Sequence, residues 1–368
     1  MTAVLSTTTS RLEAKAPALS PAEDLRRRVA VALSVRADEV KLKAHSIRRD
    51  ARSVRCCGTA NRQEFFAKIL LADPYPLTVV VPWKEALRST AEWRAADDQV
   101  ETEWSTSQQL YLLLAENLVP RPLGRSREAK TIVWEEIKAR SVLDLVKKSR
   151  WLDPKGYACA AALLKAGMWL RQVHDKTADG TETVSLSAMA DAICQMMAQQ
   201  ETSTFITRAE TILKSGLQEI AASTLTVPVA LNHGDFTLAN LMWDRGAGKL
   251  SVVDFENPTR AGTWQDLATI VFSLRKQLLN PLVPRKVVRA MEHAFWTGYG
   301  AVPRDLLIFV QTLVASRILF YYPNRLTTRG DRHGWLAGVG GSLYRSLFLP
   351  GMLSRCVKDS PARVSLCV

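Results

Sequence analysis

The sequence predicts an α+β chain in which a small antiparallel sheet comes first and a mostly helical part follows. Three observations carry this. Short β-like runs, VKLKAHSI (40–47), SVRCCGT (53–59) and EFFAKILL (64–71), follow one another closely, as the strands of an antiparallel sheet do. From about Ser141 onward the pattern is mostly helical, most clearly in YACAAALLKAGMWLRQVH (157–174). Only the stretch around 229–256 returns to strand-like runs, with VALNH, NLMWD and LSVVDF, and polar residues cluster there.

Taken in order, residues 1–19 are rich in Ser, Thr and Ala without periodicity and read as a flexible tail. Ser20-Pro21-Ala22-Glu23 then offers an N-cap, a proline at the first helical position and a capping-box glutamate, so a helix starts there and runs to about Leu33. The three strands follow. After Asp73-Pro74-Tyr75-Pro76, the apolar run LTVVVPW (77–83) precedes a long polar helix that becomes amphipathic at QQLYLLLAENL (108–118), and Pro120 and Pro122 stop it. TIVWEEI (131–137) is one more strand. LLIFVQTLVASRILFYY (306–322) is interrupted by Gln311 and Arg317 and is read as a buried core helix rather than a membrane span. The expected organisation is a tail over 1–19, an N-terminal helix and sheet-bearing lobe over 20–137, a larger lobe over 138–350 and a C-terminal tail over 351–368, with no internal repeat.

Composition bounds the function. At 368 residues and 47% hydrophobic content the chain can bury one large core or two lobes. Its six cysteines form no CxxC pair, and its start has no basic segment leading into an apolar stretch and cleavage site, so a reduced, cytoplasmic protein is expected. The net charge of +13 is uneven: residues 271–368 hold fourteen Lys and Arg against four Asp and Glu, an excess of ten. Without zinc-finger spacing or an aromatic-basic RNA signature, no nucleic-acid partner is expected, which leaves an acidic membrane surface, an anionic substrate or a solvated basic face.

The informative stretch is LNHGDFTLANLMWD (231–244), where His233, Asp235 and Asn240 interrupt an apolar run. In SVVDFENP (251–258), Asp254 follows an apolar pair, where a buried carboxylate is costly unless paired or metal-bound. A shared ligand is the expectation.

The ordered set His233-Gly234-Asp235, Asn240 and Asp254 resembles the HGDxxxxN and D-F/W-E motifs of the aminoglycoside phosphotransferase and choline kinase family, relatives of protein kinases. The resemblance extends to Lys68 on the third strand, WEEI at the interlobe hinge, Trp169 to His174, and Asp266-Leu267-Ala268, and covers roughly residues 40–340. It implies a two-lobed kinase-like fold that moves the ATP γ-phosphate to a hydroxyl of a small molecule, a sugar or other metabolite. In that reading Asp235 faces the acceptor hydroxyl, and Asn240 and Asp254 supply oxygen ligands that suit Mg2+. Lys68 takes the nucleotide phosphates, and Glu135, Glu136 and Ile137 form the hinge. His233 and Asp266 brace the loop, and His174 reads as a helix-end histidine. Glu103 is the chosen ion-pair partner of Lys68, although the family spacing falls nearer Ser107, one helical turn on the same face.

Two departures qualify the resemblance. RRDARSV (48–54), between the first strands, has no glycine for a flap over the phosphates, leaving Arg48, Arg49 or Arg52 to contact them. That absence favours a nucleotide-binding pseudokinase as the rival reading; a protein kinase is disfavoured by HGD and DFE. The helices after Asp266 are basic, so anionic or neutral acceptors are expected over polycations, with Arg275, Lys276, Arg317, Arg325, Arg329 and Arg332 as candidate contacts.

Overall fold

The computed structural model describes residues 20–43, 46–49, 53–70, 96–114, 118–152, 156–185, 224–279, 283–314 and 317. The two expected tails and the run 77–83 lie outside these residues. Helix α1 (Pro21–Leu33) begins at the predicted cap, where the Ser20 hydroxyl accepts the Glu23 N–H at 3.3 Å. It ends on Ser34 in the left-handed conformation, whose N–H closes the last turn.

Next comes a sheet built from β1 (Val40–Leu42), β2 (Arg48–Arg49), β3 (Ser53–Ala60), β4 (Gln63–Leu70), β5 (Pro122–Ser126) and β6 (Thr131–Glu135), with helix α2 (Ala96–Leu113) between β4 and β5. The order is β1-β3-β4-β6-β5, with β2 also on β3, and every pairing is antiparallel. Asn61 and Arg62, at φ of 50° and 67°, make the two-residue turn that a tight hairpin requires. That turn fixes the register and sets Arg55 directly across from Lys68. The expected strand 40–47 stops at Leu42, because the Ser46 hydroxyl takes over the ladder: it accepts the Cys57 N–H at 2.8 Å and donates to the Lys43 carbonyl at 2.6 Å.

Strand alternation divides the sheet's faces. On one face α1 covers Cys56, Phe65, Ala67, Ile69 and Val133 with Leu25 and Val29. It approaches so closely that a Cβ on Gly124 would stand 2.1 Å from the Ala32 carbonyl oxygen. On the other face Leu70, Ile132 and Trp134 pack with Val100 and Trp104 of α2, and Phe66 lies against them. Lys68 shares the parity of Phe66 and Leu70, so it points toward α2.

After β6 come β7 (Arg140–Ser141), α3 (Val142–Leu152), α4 (Tyr157–Thr177), β8 (Thr181–Ser185), β9 (Thr224–Asn232), β10 (Leu241–Asp244), β11 (Lys249–Val252), β12 (Thr259–Gly262), α5 (Trp264–Arg275) and α6 (Arg285–Tyr299). Two small sheets, β11-β10-β7 and β12-β9-β8, sit on the helices. Strands β8 and β12 went unread in the sequence because most of their residues are exposed and show no apolar alternation. Helices α4 and α6 pack backbone to backbone: a Cβ on Gly167 would meet the Phe295 oxygen at 2.2 Å, and one on Gly298 the Leu164 oxygen at 2.0 Å.

Trp169 of α4 organises the core beneath the polar cluster. Its ring stacks on Phe236 at 5.4 Å and on Phe255 at 6.4 Å, so the phenylalanines of HGDF and DFE are anchored by one side chain. The apolar run from 306 contributes Leu306, Phe309, Val310, Leu313 and Val314 to the same core. Among the described residues no helix is long and apolar enough to cross a membrane.

Candidate active site

Strand β9 delivers Asn232 into the loop that begins at His233. Gly234 is required there: its φ is 78°, and a Cβ would lie 1.8 Å from the Asn257 carbonyl oxygen. Asp266, fully buried in the first turn of α5, holds this loop. Its Oδ2 accepts the His233 N–H at 2.6 Å and its Oδ1 the Gly234 N–H at 3.0 Å. A carboxylate accepting two successive backbone N–H groups makes strong, directional bonds. Behind it, His174 Nε2 lies 3.9 Å from Asp266 Oδ2, and His174 Nδ1 meets the Tyr299 hydroxyl at 2.9 Å. A buried polar line thus runs from α6 through α4 to the loop backbone.

His233 and Val253 join the two halves of the motif. The His233 Nδ1 accepts the Asp235 N–H at 3.3 Å, which leaves the proton on Nε2, and that N–H donates to the Val253 carbonyl at 3.0 Å. The Val253 N–H in turn donates to the Asn240 carbonyl at 3.0 Å. Asn240 closes the circuit, its Nδ2 donating to the Asp235 carbonyl at 2.9 Å and to Asp235 Oδ2 at 3.0 Å. Asp235 is exposed, with its carboxylate oriented by Asn240.

Lys68 lies at the centre of a charged knot. Its Nζ is 3.1 Å from Glu103 Oε2, 2.7 Å from Asp254 Oδ1 and 2.9 Å from Glu256 Oε2. Glu103 thus forms the pair; Ser107 instead donates its hydroxyl to the Glu103 carbonyl and accepts the Trp134 indole N–H. Burial would lower the Lys68 pKa, but Glu103, Asp254 and Glu256 outweigh it and raise it. Burial would likewise raise Asp254, yet the charge and hydrogen bond of Lys68, with the charge of Arg55, hold it low. Glu103 goes the other way: burial, reinforced by Asp254 and Glu256 against the pull of Lys68, pushes its carboxyl up to about 7.

This gives a pH dependence. Because the folded pKa of Glu103 lies above its ordinary 4.5, the folded state holds the proton across that window. The stability this adds is fully present below about 4.5 and is lost as pH rises through about 7, an effect of up to a few kcal/mol. Glu103→Gln imitates the protonated form, so thermal melting from about pH 5 to about pH 8 is expected to show wild type losing ground to the variant as pH rises. A constant difference across that range would contradict the shift.

The donor set fits a divalent cation. Three carboxylates surround Lys68, while Arg55 Nη2, 3.8 Å from Asp254 Oδ2, is the second nearby cation. With both Nδ2 hydrogens of Asn240 directed at Asp235, its amide oxygen faces away as a hard donor. Asp254 holds a positive φ of 72°, a backbone cost that sites with a constrained side chain tolerate. Among the described residues no three His, Cys, Asp or Glu side chains form a metal-ligand group.

The sequence profile of a phosphotransferase enzyme family matches residues 95–301, more than half of the chain. The chain belongs to this family. Among solved structures, a putative aminoglycoside phosphotransferase from Ralstonia eutropha JMP134 superposes with a TM-score of 0.54 at 11% identity, covering 92% of this chain and 98% of that one. This likeness gives the phosphotransferase a two-lobed, kinase-like fold. A choline/ethanolamine kinase family protein from Mesorhizobium loti is also similar, with a TM-score of 0.48, 14% identity and coverage of 93% and 96%. No curated protein sequence matches.

In the phosphotransferase, Lys68, Glu103, Asp254, Asn240, Asp235, His233 and Asp266 belong to one connected set. Of the residues expected to form a hinge, Glu135 is exposed and 3.6 Å from Arg121, Glu136 is bound to Lys43 at 2.5 Å, and Ile137 follows. Two arginines expected at the acceptor are structural instead. Arg275 is buried and bound to Glu292 at 2.6 Å, joining α5 to α6. Arg317 is buried beside Thr269, its Nη1 3.3 Å from that hydroxyl, and burial pushes its pKa down to about 9. Arg325, Arg329, Arg332 and Arg52 lie outside the described residues. Arg55 and Val253 went unnoticed in the sequence; the Asn61-Arg62 hairpin could have revealed Arg55 by fixing its register against Lys68.

Proposed function

We propose that this phosphotransferase moves the γ-phosphate of ATP to a hydroxyl of a small molecule in the cytoplasm, with Mg2+ required. The observation that carries the reading is the Lys68 knot joined through Asp254, Val253 and His233 to the Asp235–Asn240 pair. A buried lysine among carboxylates supplies a phosphate-binding cation, and an oriented, exposed carboxylate connected to it through the loop supplies a base. We take residues 20–137 as the nucleotide lobe and 138–350 as the acceptor lobe.

Asn240 and Asp254 would hold the metal, which would neutralise charge on the transferring phosphate. Lys68, kept in place by Glu103, binds the phosphates, and Arg55 takes the part that a glycine-free turn leaves open. Glu135, Glu136 and Ile137 receive the base at the hinge. Asp235 orients the acceptor hydroxyl and takes its proton as the oxygen attacks the γ-phosphorus; the bond to the β–γ bridging oxygen breaks, and ADP leaves with that oxygen. Asp266 and His233 fix the loop so that this geometry needs no reorganisation.

For the acceptor, the positive excess over 271–368 favours anionic or neutral molecules over polycations. The test is ADP formation with Mg2+ and ATP across acidic sugars, neutral sugars and polyols, and aminoglycosides, with 31P NMR identifying the ester. We expect a phosphate monoester from the first two classes. Efficient transfer to aminoglycosides alone would overturn the acceptor assignment.

A further inference from the structure

Where the segment after β6 runs into β7, the structure has a pocket of about 500 Å³ that is open to solvent, within the size range of small-molecule sites. None of its lining residues belongs to the Lys68, Glu103, Asp235, Asn240 and Asp254 set. One wall is apolar, formed by Leu145 of α3, Ala158 and Cys159 of α4 and Trp243 of β10. The indole N–H of Trp243 is buried and, among the described residues, has no hydrogen-bond partner.

The lining is also cationic, with Lys138, Arg140 and Arg245. Lys138 is engaged by Glu64 at 2.5 Å. Arg140 and Arg245 are exposed, and among the described residues neither side chain makes an ion pair or a hydrogen bond. Asp244, the carboxylate in the lining, is turned to the chain: its Oδ1 accepts the N–H groups of Gly246 at 2.8 Å and Ala247 at 3.1 Å. Arg140 stands directly across from Trp243 in the β7–β10 register, so both side chains leave the ladder on the same face. Surface arginines are ordinarily just solvated; this pair differs because both line one concavity with an apolar wall.

We propose that this cavity is a second binding site, for a small anion that carries an apolar group, such as an aryl carboxylate. Arg140 and Arg245 meet the carboxylate, since the guanidinium fork matches its two oxygens. Leu145 and the Trp243 ring receive the apolar part.

The test is titration calorimetry with naphthalene-2-carboxylate and its neutral partner naphthalene-2-carboxamide, with and without saturating Mg-ATP. Wild type is expected to bind one equivalent of the carboxylate, with Mg-ATP present or absent, and the amide at least about tenfold more weakly. Arg140→Gln/Arg245→Gln, which changes two exposed side chains, is expected to weaken carboxylate binding by at least about tenfold at unchanged melting temperature. Ala158→Trp fills the cavity and leaves both arginines, and is expected to abolish binding. The proposal is overturned by absence of binding to wild type, by equal affinity for acid and amide, by undiminished affinity in either variant, or by displacement with Mg-ATP.

Discussion

Asp235→Asn is expected to lower kcat by about 10²-fold or more while nucleotide affinity and melting temperature stay near those of wild type. The separation follows from geometry. Asp235 is exposed, so no core contact is lost, and an asparagine oxygen can still accept the Asn240 Nδ2 hydrogen that now reaches Oδ2 at 3.0 Å. What disappears is the capacity to take a proton. Steady-state turnover together with nucleotide calorimetry checks this, and near-wild-type turnover would remove Asp235 from the proposed base role.

Asp266→Ala is expected to damage both turnover and stability. The His233 and Gly234 N–H groups lose their acceptor in a place where Asp266 is fully buried. Leaving one buried and one half-buried donor unpaired costs on the order of 2–4 kcal/mol. His174 loses its charged neighbour at 3.9 Å as well. Since Asp266 touches no proposed substrate atom, kcat should fall through disorder of the loop, by about tenfold or more. Hydrogen exchange separates this from general destabilisation: the His233 and Gly234 amides should lose protection more than the core of α4. Protection retained at both amides would contradict the bracing role.

The outcome tracks what sequence patterns encode. The α1 boundaries were legible because Ser20-Pro21-Ala22-Glu23 is a local signal whose geometry depends on few distant contacts. The ordered polar set from His233 to Asp254 was legible because polar residues at fixed spacing stand out in apolar runs. Strands β8 and β12 were not, since an exposed edge strand needs no apolar alternation. Val253 was invisible for another reason: its contribution lies in its backbone N–H and C=O, which any residue possesses. The Glu103-or-Ser107 choice turned on helix phase, and Glu103 Oε2 ends 3.1 Å from Lys68. Arg275 and Arg317 looked like acceptor contacts because charge counts carry no burial, yet both lie inside the helical core.

The central claim, that the Lys68 knot is a Mg-ATP site, is tested most directly by calorimetry of a non-hydrolysable ATP analogue with and without Mg2+, on wild type and Asp254→Asn. In wild type, three carboxylates around Lys68 should oppose the bare polyphosphate, so Mg2+ is expected to strengthen binding by at least about tenfold. Asp254→Asn removes one anion and one proposed ligand, so its binding should depend far less on Mg2+. The same magnesium dependence in both proteins, or none in wild type, would contradict the account.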